Sequence, residues 1–326
     1  MSNDWKEEFL KLYLSGDQND FLLALDLKRN NLPKKLYRYR SISKTSSYIH
    51  VMNEIKRGEI YLSQPTEFND TFDSYSVLSS KSYLDYWKDP YPLREVMKNH
   101  LSEDELTAIF DREDWREEYS KTITEKIAAE NNIETNGIAE ILNDAIMKQL
   151  IDLNDAFNQM AQTSRIACFT ESHRNLPMWT HYANKQQGIC LEYDTIKLLD
   201  PFHISRMLPV LYVEKVSDVV RDSFQSKFEK PPFGLLDSIS IQKHHDWSYE
   251  KEWRLVYPVG AFYFSPSDVP PDYDQQGKLI HFIRPSKIIL GYKINADIEN
   301  SIRDAATASN IEIEKLKLTP YGLSIE

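Results

Sequence analysis

An α+β fold with an antiparallel or mixed sheet is what three observations in this sequence predict. Short alternating runs such as "KLYRYRSI", "RIACFTE", "GICLEYD" and "EWRLVYP" read as strands. Helical spacing governs the first thirty residues and one long acidic stretch, and a further helix is expected at Ile298 to Ala308. The chain has 326 residues, 41% of them hydrophobic, which suffices for one large domain or two small ones.

The elements follow in order. In residues 1–33, Trp5, Phe9, Leu12 and Tyr13 form one apolar stripe, Gly16 interrupts it, and "DFLLALDLKR" resumes, so an N-terminal helical cap ending near Pro33 is expected. Residues 34–80 open the α+β core. In "KLYRYRSI", alternation puts Leu36, Arg38 and Arg40 on one face and Tyr37 and Tyr39 on the other. Tyr48, Val51, Met52 and Ile55 then keep helical spacing up to Arg57, and Gly58 stands where a helix end calls for a left-handed residue. The strand "EIYLS" comes next, ending on Ser63.

Residues 81–162 are acidic and glycine-poor, and Ile138, Ile141, Leu142, Ala145, Ile146, Leu150, Leu153 and Phe157 repeat as an amphipathic helix. This stretch reads as a helical insertion. Residues 163–326 return to strands and complete the core, with "MLPVLYVE", "SKIILGYKI" and "IEIEKLKL" as further strands and the proline-rich run from Ser265 to Asp274 as a loop.

Charge and composition narrow the function classes. With 39 basic against 50 acidic residues the net charge is -11, so no broad nucleic-acid-binding surface is expected. The N-terminus lacks the pattern of a signal peptide and no window reaches the roughly 20 apolar residues of a membrane span, which predicts a cytoplasmic protein without membrane contact. Cys168 and Cys190 read as buried, reduced thiols. His173, His181, His244 and His245 are not spaced as a zinc set, and Asn69, Asp70 and Asp73 lack the glycine and distal glutamate of a calcium loop, so no metal site is predicted.

Candidate chemistry gathers in four stretches. Arg38 and Arg40, on one strand face, suit a phosphate or carboxylate. Asn69, Asp70 and Asp73 read as turn and capping acceptors. Trp179, His181 and Tyr182 cluster on a short helix in "PMWTHYA". In "YEKEWRLVY", an extended chain sets Glu250, Glu252 and Arg254 on one face, where two carboxylates raise each other's proton affinity unless Arg254 compensates.

As an ordered set, "LYRYR", "GEIYLS…FNDTFD", "CFTE…PMWTHYA…GICLEYD" and "YEKEWR" resemble the bacterial family called domain of unknown function 2971, from Leu36 to about Tyr257. The order of arginine, serine and Glu-x-Glu is also similar to that of ADP-ribosyltransferases. That second resemblance implies an NAD-dependent transferase in which Arg38 or Arg40 holds a phosphate or ribose of NAD. Tyr61 and Ser63, on the serine-bearing strand, would shape the nicotinamide pocket. Trp179, Tyr182 and Arg254 would complete the cofactor-facing set. Glu252 would act at the ribose, Glu250 would face an unknown macromolecular acceptor, and His181 would join them as a catalytic candidate. The family resemblance implies a toxin-like or anti-phage setting. Two other readings stay open: a metal-dependent hydrolase or nuclease built on Glu171, His181, Glu250 and Glu252, and a non-catalytic module binding a nucleotide or a partner.

Overall fold

The computed structural model describes residues 4–15, 17–70, 72–77, 100–112, 114–131, 137–199, 201–216, 234–257, 278–320 and 322–325. Gly16, Pro258 and the loop expected at Ser265 to Asp274 lie outside them. The chain divides into two compact units, one of residues 1–75, 160–216 and 236–326 and the other of 76–159 and 217–235.

The first unit is built on strands that alternate as expected: β1 (Lys35–Arg40), β3 (Arg165–Thr170), β4 (Ile189–Asp194), β8 (Glu252–Tyr257), β10 (Lys287–Leu290) and β11 (Glu312–Thr319). Two shorter strands complete the sheet, β5 (Met207–Pro209) and β12 (Gly322–Ile325), in the order β12-β11-β10-β4-β1-β3-β8-β5. Only the β10–β11 pair is parallel among these, so the sheet is mixed and the fold is α+β. The short strand β2 (Glu59–Tyr61) pairs instead with β9 (Leu279–His281).

One expected strand is two. "MLPVLYVE" breaks at Val210, because the Val210 amide donates to Glu252 while the next amide, Leu211, donates to Ile241. Met207–Pro209 therefore stays on β8, and β6 (Leu211–Val213) pairs in parallel with β7 (Gln242–His244), a strand too short to show a period in the sequence.

Register decides which residues share a face. Tyr37 lies opposite Thr170, Thr170 opposite Glu252, and Arg38 opposite Leu191. One face thus carries Leu36, Phe169, Leu191, Trp253 and Leu255, and on it pack Val51 and Ile55 of the helix Thr45–Arg57 and Ile302 and Ala306 of the helix Ala296–Ala308. All these side chains are buried, and burial of each leucine, isoleucine, valine or phenylalanine among them stabilises the fold by about 1.5–3 kcal/mol. Gly58 caps the first helix at φ 70°, the left-handed conformation its position predicts.

The opposite face is covered in two patches. Ile166, Val256 and Leu208 meet Phe9, Tyr13 and Ala24 of the N-terminal helices Asp4–Tyr13 and Gln18–Asn31. Tyr37, Tyr39 and Cys190 meet Met178 and Trp179 of the helix Leu176–His181. Between the two patches, β3 and β8 present Cys168, Thr170, Glu252 and Arg254.

In the second unit the helices Glu103–Phe110 and Trp115–Asn131 enclose a core of Leu106, Ile109, Trp115, Tyr119 and Ile123. Ser102 and Glu105 close a capping box at the first of them. The expected amphipathic helix runs Ile138–Thr163, though Ile141, placed on its apolar stripe, is exposed. The side chains of Ile138, Leu142, Ala145, Ile146 and Leu150 lie outside the described set.

Candidate active site

Glu252 and Arg254 share a face by simple alternation along β8. Glu250 reaches them another way. Residues His245–Glu250 form a 3-10 helix, and Lys251 takes the left-handed conformation at φ 46° and ψ 53°, so the strand starts at Glu252 rather than at Glu250. An extended "YEKE" was the expectation; the turn supplants it because the Thr170 hydroxyl donates to the Glu250 carbonyl at 2.5 Å and the Asn175 side chain donates to the Tyr249 carbonyl at 2.5 Å. These two bonds fix the turn.

The side chains then converge. Arg254, fully buried, donates from Nε and Nη2 to the two oxygens of Glu252 at 2.9 and 3.0 Å, and from Nη1 and Nη2 to those of Asp73 at 2.7 and 2.6 Å. Nη1 donates as well to the Ser240 carbonyl at 2.6 Å. Lys243 donates to Glu250 at 2.6 Å and to Glu252 at 3.3 Å, lies 3.6 Å from Asp73, and sits 4.9 Å from the centre of the Trp247 ring. The Tyr182 hydroxyl donates to the free oxygen of Glu250 at 2.6 Å. Bidentate contacts of this kind are the strong form of an ion pair, and their desolvation makes each partner depend on the others.

Three carboxylates face two cations, so the cluster carries one excess negative charge when every acid is ionised. Electrostatics assigns it. Burial pushes the Glu252 carboxyl up, but the Arg254 guanidinium and the Lys243 ammonium outweigh burial and hold it at about 2. Burial likewise raises Glu250, and the neighbouring charge of Glu252 raises it further, against the pull of Lys243 and Tyr182. Burial disfavours the Lys243 ammonium, yet Glu252, Glu250 and Asp73 together hold its proton. Glu250 is therefore where a proton is most readily exchanged, and two nearby acids whose proton affinities diverge are the arrangement acid–base chemistry uses.

A cavity of about 80 Å³ opens onto this cluster, lined among others by Asn69, Asp73, Tyr182, Glu250, Glu252 and Arg254. Ligand pockets for drug-sized molecules run to roughly 300 Å³ or more, so this space fits the reacting end of a ligand rather than a whole dinucleotide. Thr170 and Cys168 also face it, and burial followed by the Glu252 charge raises the Cys168 thiol, which keeps it protonated.

Of the residues expected from the sequence, Glu250, Glu252, Arg254 and Tyr182 meet here; the others do not. Arg38 and Arg40 point to the opposite face of the sheet, because the register that aligns Tyr37 with Thr170 and Glu252 turns the neighbouring positions away. There they pair with Glu54. Tyr61 stacks on His50 at 4.2 Å and its carbonyl accepts from Arg38, and Ser63 forms a backbone bridge to Ile166. Trp179 is buried, with its indole donating to the His173 carbonyl at 2.7 Å and its ring edge-on to Tyr39. His181 is exposed, and Glu171 accepts from the Trp253 indole on the other face. Among the described residues, no group of three or more His, Cys, Asp or Glu side chains is arranged to hold a metal ion.

Lys243 and Asp73 join this cluster without a signal in the sequence that links them to it. Asp73 stood out as an acceptor within "FNDTFD", but its partner Arg254 lies 181 positions away. Lys243 occupies a three-residue strand with no periodic signal.

The fold and the site thus define an α+β protein with a buried carboxylate–cation cluster and a small cavity on one face of its sheet. Residues 178–255 match the family described as protein of unknown function, DUF2971, the family that the ordered motifs resemble. The matched segment contains Tyr182, Lys243, Glu250, Glu252 and Arg254. No curated protein and no solved structure matches the chain.

Proposed function

We propose that the cluster is the catalytic centre of an enzyme that breaks a bond at a glycosidic carbon, as an NAD-consuming transferase or hydrolase does. One observation carries the reading: Glu250 and Glu252 line the same cavity with proton affinities displaced in opposite directions. Departure of a leaving group from such a carbon builds positive charge on the sugar ring, and a carboxylate held ionised stabilises it. Glu252 has that role. Glu250 exchanges the proton, delivering it to the leaving group or taking it from the attacking hydroxyl, with Tyr182 and Lys243 fixing its two oxygens.

The carboxylate half of the ADP-ribosyltransferase pattern supports this reading, and the Arg38 and Arg40 half takes no part in it. NAD is the first substrate to test, and the toxin or anti-phage setting rests on the family resemblance. Incubation of the wild type with NAD is expected to release nicotinamide, and Glu250→Gln to lower the rate about 100-fold or more, as removal of a general acid or base does. If neither NAD nor a panel of nucleosides and glycosides is turned over by wild type, the reading fails.

A second reading, recognition without turnover, is favoured by the fact that Lys243 and Arg254 already have their charge matched inside the cluster. It predicts a ligand-induced rise in melting temperature with no product formed.

A further inference from the structure

The other sheet face holds a charge imbalance of opposite sign. Arg38 and Arg40 stand on the same side of β1, and the carboxylate that faces them is Glu54 of the helix Thr45–Arg57. Both guanidinium groups approach the same oxygen of Glu54, Arg38 Nη1 at 3.4 Å and Arg40 Nε at 3.2 Å, while the Tyr193 hydroxyl takes the other oxygen at 2.8 Å. Neither approach makes a hydrogen bond. Among the described residues, Arg38 Nη1, Arg40 Nε, the Glu54 oxygen that both approach and, one helical turn before Glu54, His50 Nδ1 are buried atoms with no hydrogen-bond partner. Arg38 is only 5% exposed, whereas Arg40 and His50 both keep contact with solvent.

We propose that Arg38, Arg40 and His50 form a second ligand site, on the sheet face turned away from the carboxylate cluster, that takes a small oxyanion of the phosphate or carboxylate type. Among the described residues, two guanidinium charges in ion-pair range of the one carboxylate of Glu54 leave a surplus of positive charge in a partly desolvated place, with Glu67 acting on His50 and not in ion-pair range of either arginine, and buried charge without a partner is costly. An oxyanion entering between Arg40 and His50 supplies that partner. It accepts from donors that Glu54 leaves unsatisfied, and guanidinium groups match the geometry of its oxygens. His50 is held for the task by its stacking on Tyr61 at 4.2 Å. Burial, followed by the charge of Arg40, lowers the proton affinity of His50, so the imidazole enters neutral and can donate from one nitrogen.

This site does not depend on the glycosidic reading, and the test separates them. The full chain is titrated with inorganic phosphate and, separately, with acetate, against sodium chloride at equal ionic strength, following melting temperature and, for phosphate, the phosphorus-31 resonance. A saturable rise with at least one oxyanion is expected; the arm that responds identifies the ligand as phosphate-like or carboxylate-like. Arg40→Gln is expected to weaken binding roughly 10-fold or more, as loss of a charged hydrogen bond does, and Glu250→Gln to leave it unchanged. Glu54→Gln removes the competing carboxylate and is expected to tighten it. If Arg40→Gln fails to fold, His50→Gln replaces it, with a several-fold loss expected. The absence of a saturable response in both arms, or an unchanged affinity in Arg40→Gln or its substitute His50→Gln, overturns the proposal.

Discussion

The two faces of the central sheet solve the problem of buried charge in opposite ways. On one, Arg254 and Lys243 sit among Asp73, Glu250 and Glu252, and every cation has a carboxylate oxygen within 2.6 Å. On the other, Arg38 and Arg40 share one oxygen of Glu54 at 3.2 Å or more. The first face has surplus negative charge, which raises the proton affinity of Glu250. Among the described residues, the second has surplus positive charge on groups that do not give up their protons near neutral pH. The proposals made for the two clusters accordingly differ, one proton exchange and one anion capture.

The largest effect should come from removing the fully buried cation that holds two carboxylates bidentately. Arg254→Met leaves Asp73 and Glu252 buried without their bidentate partner and is expected to destabilise the protein by about 3–5 kcal/mol, measured by urea unfolding. A variant as stable as wild type would mean that these groups are protonated in the fold. Glu54→Gln should cost less, about 2 kcal/mol, because Arg40 is partly solvated; phosphate is expected to restore part of that loss, while Arg254→Met should show no such rescue.

A subtler difference lies in pH. Glu252 is held at about 2, below its ordinary value, so its contribution to stability is complete above the usual carboxylate range and is lost as pH falls through about 2. Glu250 is raised, so its contribution has the reverse sign: complete at acid pH and lost as pH rises through its folded value. Wild type is therefore expected to lose stability relative to Glu250→Gln as pH increases, and to gain stability relative to Glu252→Gln as pH increases from 2. Unfolding curves of the three proteins from pH 2 to 9 check this, and parallel profiles would dissolve the distinction between the two acids.

How much of this could be read beforehand follows from what alternation does and does not encode. Alternation within a strand put Arg38 with Arg40, and Glu252 with Arg254, on a common face, and both pairings hold. It carries no information on which way one strand faces relative to another. That depends on register, and the alignment of Tyr37 with Thr170 is set by packing on both sides of the sheet. Glu54 was hidden for a similar reason: it sits within an amphipathic helix beside Val51 and Ile55, and only the strand beneath it makes its burial intelligible. Glu250 reached its predicted neighbours through a turn, since the aromatic run His245–Glu250 has no period that distinguishes a 3-10 helix from a strand.

That turn depends on a residue whose own side chain is exposed. Lys251 contributes its backbone: a left-handed φ between Glu250 and Glu252 brings positions two apart to a common ammonium group. Mutational tolerance at position 251 should accordingly be set by conformation and not by charge. Glycine, asparagine and aspartate are expected to be accepted there, and valine, isoleucine and proline to be excluded, so that a saturation library would return the shape of the backbone from a site that touches no ligand.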